Sequence, residues 1–321
     1  MEESIMRSLD SWQRKLSALL LAALLAACGG GGGGDSATPV TPPPVAPPAM
    51  PPGAPAATGD TALDGFNWFN YRRASIGLSS LTRNARLDTA AAGHSNYLRL
   101  NNTVSHDQVP GNPGFTGATL GTRLAAAGYT LSNPYAFGEV ISAAGDRSGF
   151  YHAEELITAI YHRFVILEPV FKDMGTGAAT TGGNYTYFTA DFAATGGYGP
   201  GLGRGRVVVY PGDGQVMVPA TFLSDTESPD PVPNQNAVGY PVSVHADITA
   251  SISVSSFTIR PRGGAALTTR LLSSATDTHT KPQVAAIVPL TTLSANTMYD
   301  VSFTGTVDGV AVSRNWSFTT K

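Results

Sequence analysis

Cysteine is almost missing from this chain. Cys28 stands alone among 321 residues, so no intrachain disulfide can staple the fold. Charge is scarce as well: Asp, Glu, Lys and Arg make up 13% of the residues, the net charge is -3 and no run of basic residues occurs. That leaves no electrostatic footprint for nucleic acid. The familiar catalytic signatures are absent, with no GxSxG elbow, no P-loop and no HExxH helix, which removes the common hydrolase and nucleotide-dependent classes from first consideration. GYGPGLGRG at 197–205 has GxGxxG-like spacings, but it leads into the strand-like VVVY instead of following a strand and opening a helix, so it reads as linker. The apolar run Leu19 to Ala27 falls short of the about 20 residues a membrane-spanning helix needs.

What is present begins with that run. Arg7, Arg14 and Lys15 precede it, and it ends in Leu25-Ala26-Ala27-Cys28, the pattern of an export signal over residues 1–27. LAAC resembles a bacterial lipobox, which implies that Cys28 becomes the lipid-modified first residue of the mature chain. It would tether the protein to a membrane surface as an exported lipoprotein of a bacterial cell envelope. The alternative is a plain secretory signal with an incidental cysteine. Residues 28–59 are glycine followed by proline, with almost no large apolar side chain to bury, and read as a stalk.

The globular part starts near Asp60, the expected N-cap of a helix closed by Gly77. A second helix begins near Arg83 with Leu87, Ala91, His94 and Leu98 on one buried stripe, and a third covers about Leu120 to Ala127 before Gly128. AEELITAIYHRFVIL, 153–167, reads as one amphipathic helix in which Glu155 and His162, seven residues or nearly two turns apart, share the polar side. DMGTG and NYTYFTADFA alternate as strands. Residues 60–195 are therefore expected to form an α+β domain. Residues 196–236 read as a Gly/Pro-rich connector, and 237–321 show only short strand-like runs, with Asp308-Gly309 as a hairpin turn and Tyr299, Val301 and Phe303 facing Trp316 and Phe318 in a small β-sandwich.

Four of the six histidines, His94, His106, His152 and His162, lie in the α+β part. There the segments NYRRASIGLSSLTRNARLDTAAAGHSNYL, VSHDQ, GTRLAAAGY, FGEVIS, YHRFVILEPVF, MGTG and YFTADF follow one another in order and approximate spacing. In this they resemble the CAP superfamily of cysteine-rich secretory, antigen 5 and pathogenesis-related 1 proteins. GEVIS departs from the usual GENI and YFTADF from the usual YWTQ. The resemblance implies an α-β-α sandwich whose cleft holds two histidines and two acids, which in some members bind a divalent metal such as zinc. Carried onto this chain, it gives His106, Glu139 and His162; Glu155 is the expected second acid from its helical spacing, with Glu154 as runner-up. The end of the chain, PLTTLSANTMYDVSFTGTVDGVAVSRNWSFTT, resembles bacterial Ig-like surface modules and implies a spacer or adhesive role.

Imidazole and carboxylate groups suit zinc, and two histidines would leave coordination positions open. The bland reading makes His106 a loop residue and His162 a helix C-terminal residue interacting with the dipole. His94 is expected as a packing residue, His152 as a solvated helix start, Arg163 as exposed, and Asn70 and Arg73 as scaffold. Two functions follow as expectations. One is a non-catalytic cleft that binds a small ligand, a lipid or a metal. The other is a metal-assisted hydrolase with Glu139 or Glu155 as base.

Overall fold

A computed structural model of the chain describes residues 50–321; the expected signal, Cys28 and most of the stalk lie outside the described residues. The first helix, α1 (Thr61–Ser75), starts where Asp60 accepts the Leu63 N–H at 3.0 Å and stops before Gly77, whose φ of 80° no residue with a side chain adopts readily. After a short strand β1 (Thr82–Arg83) come α2 (Ala85–Asn101) and α3 (Leu120–Ala126), the latter capped by Thr119. Then follow β2 (Ala136–Ala144), α4 (Gly149–Thr158), α5 (Ile160–Ile166), β3 (Asp173–Thr180) and β4 (Thr186–Ala194).

The four strands form one sheet in the order β1-β3-β4-β2, with β4 central and antiparallel to both neighbours. Side chains alternate across it. Val140, Phe188, Ala190 and Phe192 pack with Trp68, Phe69, Leu156 and Ile157 of α1 and α4, whereas Ile141 and Tyr187 pack with Tyr97 and Leu98 of α2. This is an α-β-α sandwich. The MGTG motif lets β3 press on α2: a Cβ at Gly175 or Gly177 would overlap the helix backbone at Leu87 or Ala92.

Residues 196–236, expected as a connector, instead carry β5 (Val208–Tyr210), β6 (Gln215–Val218) and β7 (Thr221–Leu223). The rest of the chain supplies β8 (Ala237–Gly239), β9 (Val242–His245), β10 (Ile252–Pro261), β11 (Thr269–Leu272), β12 (Val284–Pro289), β13 (Met298–Val307) and β14 (Val310–Thr320). Two four-stranded sheets result, β10-β13-β14-β6 and β11-β12-β9-β5, with β7 and β8 paired separately. The 308–309 turn and the inward set Tyr299, Val301, Phe303, Trp316 and Phe318 lie where the alternation puts them. Strand β12, VAAIVP, is buried along its whole length because it is covered on both sides. Ala285 and Ile287 face the other sheet, and Val284, Ala286 and Val288 meet Ile160 and Phe164 of α5. Residues 50–321 accordingly form one compact unit, in which no described helix is long and apolar enough to cross a membrane.

The helix expected over 153–167 is two helices. Ala159, at φ -68° and ψ 120°, is extended and ends α4 while opening α5. Charged side chains satisfy both exposed helix ends. Arg163 donates to the Ile157 and Thr158 carbonyls at 2.6 and 3.2 Å and to Pro241 O at 2.7 Å, its guanidinium lying 4.8 and 4.9 Å from the ring centres of Tyr210 and Tyr240. Glu227 accepts the backbone N–H groups of Ile160, Tyr161 and His162 at 2.7, 2.6 and 3.2 Å. Arg163 is therefore buried, not exposed as its sequence context suggested.

Glu227→Ala is expected to cost at least about 3 kcal/mol in urea unfolding, since it leaves buried helix N–H groups without an acceptor. His162→Ala removes one side-chain bond to the same carboxylate and is expected to cost about 1 kcal/mol.

Candidate functional site

The loop 102–119 between α2 and α3 carries His106 and is fixed from below by His94. The Gln108 side chain accepts the Thr116 N–H at 2.7 Å and lies 2.9 Å from His94 Nδ1, while His94 Nε2 lies 2.9 Å from Ser105 O. Since the Ser105 carbonyl only accepts, His94 carries its proton on Nε2 and receives the Gln108 amide at Nδ1. Burial keeps this ring neutral by lowering its pKa. His94 is thus the hydrogen-bonded packing residue expected, and it also touches the site, with Nε2 3.9 Å from Glu139 Oε1.

Glu139 projects from β2 on the face covered by α2 and α3. Its carboxylate accepts from His106 Nδ1 at 2.9 Å and from Arg123 Nη2 at 2.8 and 2.7 Å. Arg123, on α3, also donates to His106 O at 2.8 Å, so one guanidinium holds both the carboxylate and the histidine's own backbone. Burial opposes the Glu139 anion, but the hydrogen bond from His106 and the charge and hydrogen bonds of Arg123 overcome it and hold the carboxyl below its ordinary range. Because Nδ1 donates to Glu139, the neutral His106 ring has its lone pair on Nε2, and with 60% of the side chain exposed against 2% for Glu139, that nitrogen is the part a ligand meets.

Asp191 stands directly across from Glu139 in the β2–β4 ladder, on the same face. It is fully buried, and neither oxygen receives a hydrogen bond from a described donor. The one cation beside it is committed to Glu139. A second ionised carboxyl here would be an uncompensated buried charge, so Asp191 is a neutral acid, its pKa pushed well above the carboxylate range by burial and then by the Glu139 charge.

The other expected site residues are elsewhere. Ser142 lies three residues after Glu139 and points to the opposite face of β2, where its hydroxyl meets Glu155 Oε2 at 2.9 Å and His152 Nδ1 at 2.8 Å. His152 is buried, not a solvated helix start, and stacks on Phe188. Glu154, the runner-up, takes the Arg72 guanidinium at 2.8 and 2.9 Å and the Trp68 indole at 2.7 Å. His162 binds Glu227 at 3.1 Å. The two-turn spacing of Glu155 and His162 has no meaning across the break at Ala159. Asn70 and Arg73 act as scaffold: Asn70 bonds both polar groups of Leu81, and Arg73 holds the Ile166 and Glu168 carbonyls.

The residues present do not fit the divalent metal, such as zinc, that the resemblance allows. His106, Glu139, Glu155 and His162 do not converge, the Glu139 oxygens are engaged by Arg123 and His106, and among the described residues no three His, Cys, Asp or Glu side chains gather as a metal site. Reading the sequence missed Arg123 and Asp191, although both sit in segments that carried the resemblance, GTRLAAAGY and YFTADF.

Residues 66–192 match the model of the family described as CAP, the cysteine-rich secretory protein family, and form a CAP domain. Among solved structures, an extracellular protein from Bacillus anthracis containing an SCP domain aligns with 26% identity over 41% of this chain and 39% of its own, at a TM-score of 0.35. An outer surface protein of Borrelia burgdorferi aligns with 15% identity over 40% of this chain and 89% of its own, at a TM-score of 0.35. Venom allergen-like protein 4 of Schistosoma mansoni aligns with 9% identity over 43% and 89%, at a TM-score of 0.30. The chain thus spans about two fifths of the length of the Bacillus protein. No curated protein matches it.

Asp191→Asn tests the charge state of the site. A carboxyl whose folded pKa is raised costs stability as pH rises above its unfolded value near 4. Wild type is therefore expected to lose stability from about pH 4 upward through this group, and Asp191→Asn to lack that loss and equal or exceed wild type at pH 8. Urea unfolding across that range checks it, and identical pH dependences in the two proteins would show Asp191 ionised.

Proposed function

We propose that this protein is an exported lipoprotein whose CAP domain is a binding module, with a small ligand held at the His106 ring that Glu139 and Arg123 position. The observation that carries the reading is the exposed His106 ring, tied through Nδ1 to a buried, ionised carboxylate so that Nε2 faces outward as a fixed acceptor. As an acceptor, that nitrogen suits a ligand that presents a hydroxyl group to it. The pair lacks what hydrolysis would need beside it. Glu139 is already neutralised by Arg123, Asp191 carries its own proton, and Ser142 lies on the other face of the sheet.

The non-catalytic reading is tested by adding small carboxylates, phenols, sterols and fatty acids to the purified protein while following the His106 ring resonances. Binding is expected to move them, and His106→Ala is expected to weaken it at least ten-fold. Hydrolysis of a peptide or ester panel that disappears in His106→Ala would replace the binding reading with the enzymatic one.

Export and anchoring rest on the basic start, the short apolar run and the LAAC box at Cys28. The Gly/Pro stalk that follows would hold the folded part away from the membrane, and the resemblance of residues 237–321 to Ig-like modules suits a surface protein. Wild type is expected to enter the detergent phase on phase separation, and Cys28→Ser to remain in the aqueous phase. Equal partition of both would remove the anchor.

A further inference from the structure

The outer face of the β10-β13-β14 sheet is not the flat solvated surface that alternation alone would leave. Two rows of outward side chains cross it. Thr258, Ser302 and Asn315 are cross-strand neighbours in one row, and Arg260, Asp300 and Ser317 in the next. The chain after β10 curls back to make a wall: Arg262 N donates to Met298 O, Gly264 N to Pro261 O and Leu267 N to Ile259 O. On the other side Asp213 rises from the turn before β6 and accepts the Ser317 N–H at 3.0 Å. Floor and walls border an open groove of about 760 Å³, within the about 300–1,000 Å³ typical of small-molecule sites.

The lining is chemically specific. Arg262 is held by Asp300 at 2.7 and 3.0 Å, which fixes the wall after β10 to the floor. By contrast the hydroxyls of Thr258, Ser302 and Ser317, the Asn315 amide and the Arg260 guanidinium make no hydrogen bond to any described residue; they stand free toward the pocket. Every group of the first row both donates and accepts, and the second sets the donor Arg260 beside the acceptor Asp300 and the hydroxyl of Ser317. The charges cancel, Arg260 and Arg262 against Asp213 and Asp300. A phosphate or sulfate would meet those carboxylates, and an apolar ligand would meet a floor of hydroxyl and amide groups that it would strip of water. What matches is a neutral molecule carrying many closely spaced groups that both donate and accept, which is the chemistry of sugar hydroxyls.

From these rows and walls we infer that the C-terminal sandwich is itself a binding module, and that this pocket takes a neutral oligosaccharide. The inference is independent of the ligand of the CAP cleft. It changes the role of residues 237–321 from spacer to the part of the protein that recognises a glycan surface.

The test uses the whole purified chain, immobilised and offered fluorescent neutral oligosaccharides built on glucose, galactose or N-acetylglucosamine. Uronic-acid and sulfated oligosaccharides of the same length are offered in parallel. Wild type is expected to retain at least one neutral series. Ser302→Tyr, which fills the floor, and Asp300→Ala, which frees Arg262, are expected to reduce retention at least ten-fold. In wild type, the Asn315 side-chain amide is expected to shift on titration with the retained sugar, a readout that does not depend on how the variants fold. Capture of no neutral glycan, capture of anionic glycans only, undiminished binding in both variants, or an unmoved Asn315 amide would each overturn the proposal.

Discussion

Glu227 is the acceptor on which the arrangement of this molecule turns. Its carboxylate sits at the start of α5 and takes the N–H groups of Ile160, Tyr161 and His162, while Arg163, one residue later, takes the last carbonyls of α4. A continuous helix would have satisfied these groups internally. The break leaves them exposed, and a buried orphan N–H or C=O is expensive enough that the break persists only because partners distant in sequence supply the missing bonds. Glu227 is such a partner, and Arg163, which takes the α4 carbonyls, is itself held by the Pro241 carbonyl; both Glu227 and Pro241 belong to the segment leading into and through the β part. The break between α4 and α5 and the docking of the C-terminal part therefore rest on the same bonds.

That coupling explains the composition of the core. The aromatic rings of Tyr210 and Tyr240 flank the Arg163 guanidinium, and the apolar side of α5 lies on Val284, Ala286 and Val288. A strand apolar at every position, such as VAAIVP, would be a liability on a sheet with one wet face. It is stable here because both faces are covered. The Gly/Pro-rich stretch that precedes these strands supplies three strands of its own and so belongs to the folded body.

On the opposite face of the CAP sheet the electrostatics follow from a shortage of cations. Arg123 is the buried guanidinium beside Glu139, and with Asp191 directly across the ladder only one of the two carboxyls can be ionised at low cost. Glu139 wins because His106 and Arg123 both donate to it, whereas Asp191 has no donor. The consequence is local order: a fixed carboxylate aligns Nδ1 of a ring that is otherwise exposed, and so fixes what Nε2 presents to solvent.

The sequence by itself determined much of this. Alternation placed Tyr299, Val301 and Phe303 on the inner face, Asp60 and Gly77 bounded the first helix, and the order of short motifs carried the CAP resemblance and the pairing of His106 with Glu139. These rest on local periodicity, capping chemistry and motif order, which a linear reading contains. Only the tertiary structure decided that Glu155 faces Ser142, that His162 belongs to Glu227, and that Arg123 and Asp191 complete the site. Ala159 has none of the chemistry of a helix breaker, so the sequence from 153 to 167 carries the pattern of one continuous helix. What satisfies the broken ends is the Glu227 carboxylate, more than sixty residues further on, together with Arg163 held by the Pro241 carbonyl, and no local pattern records groups that meet only when the chain has folded.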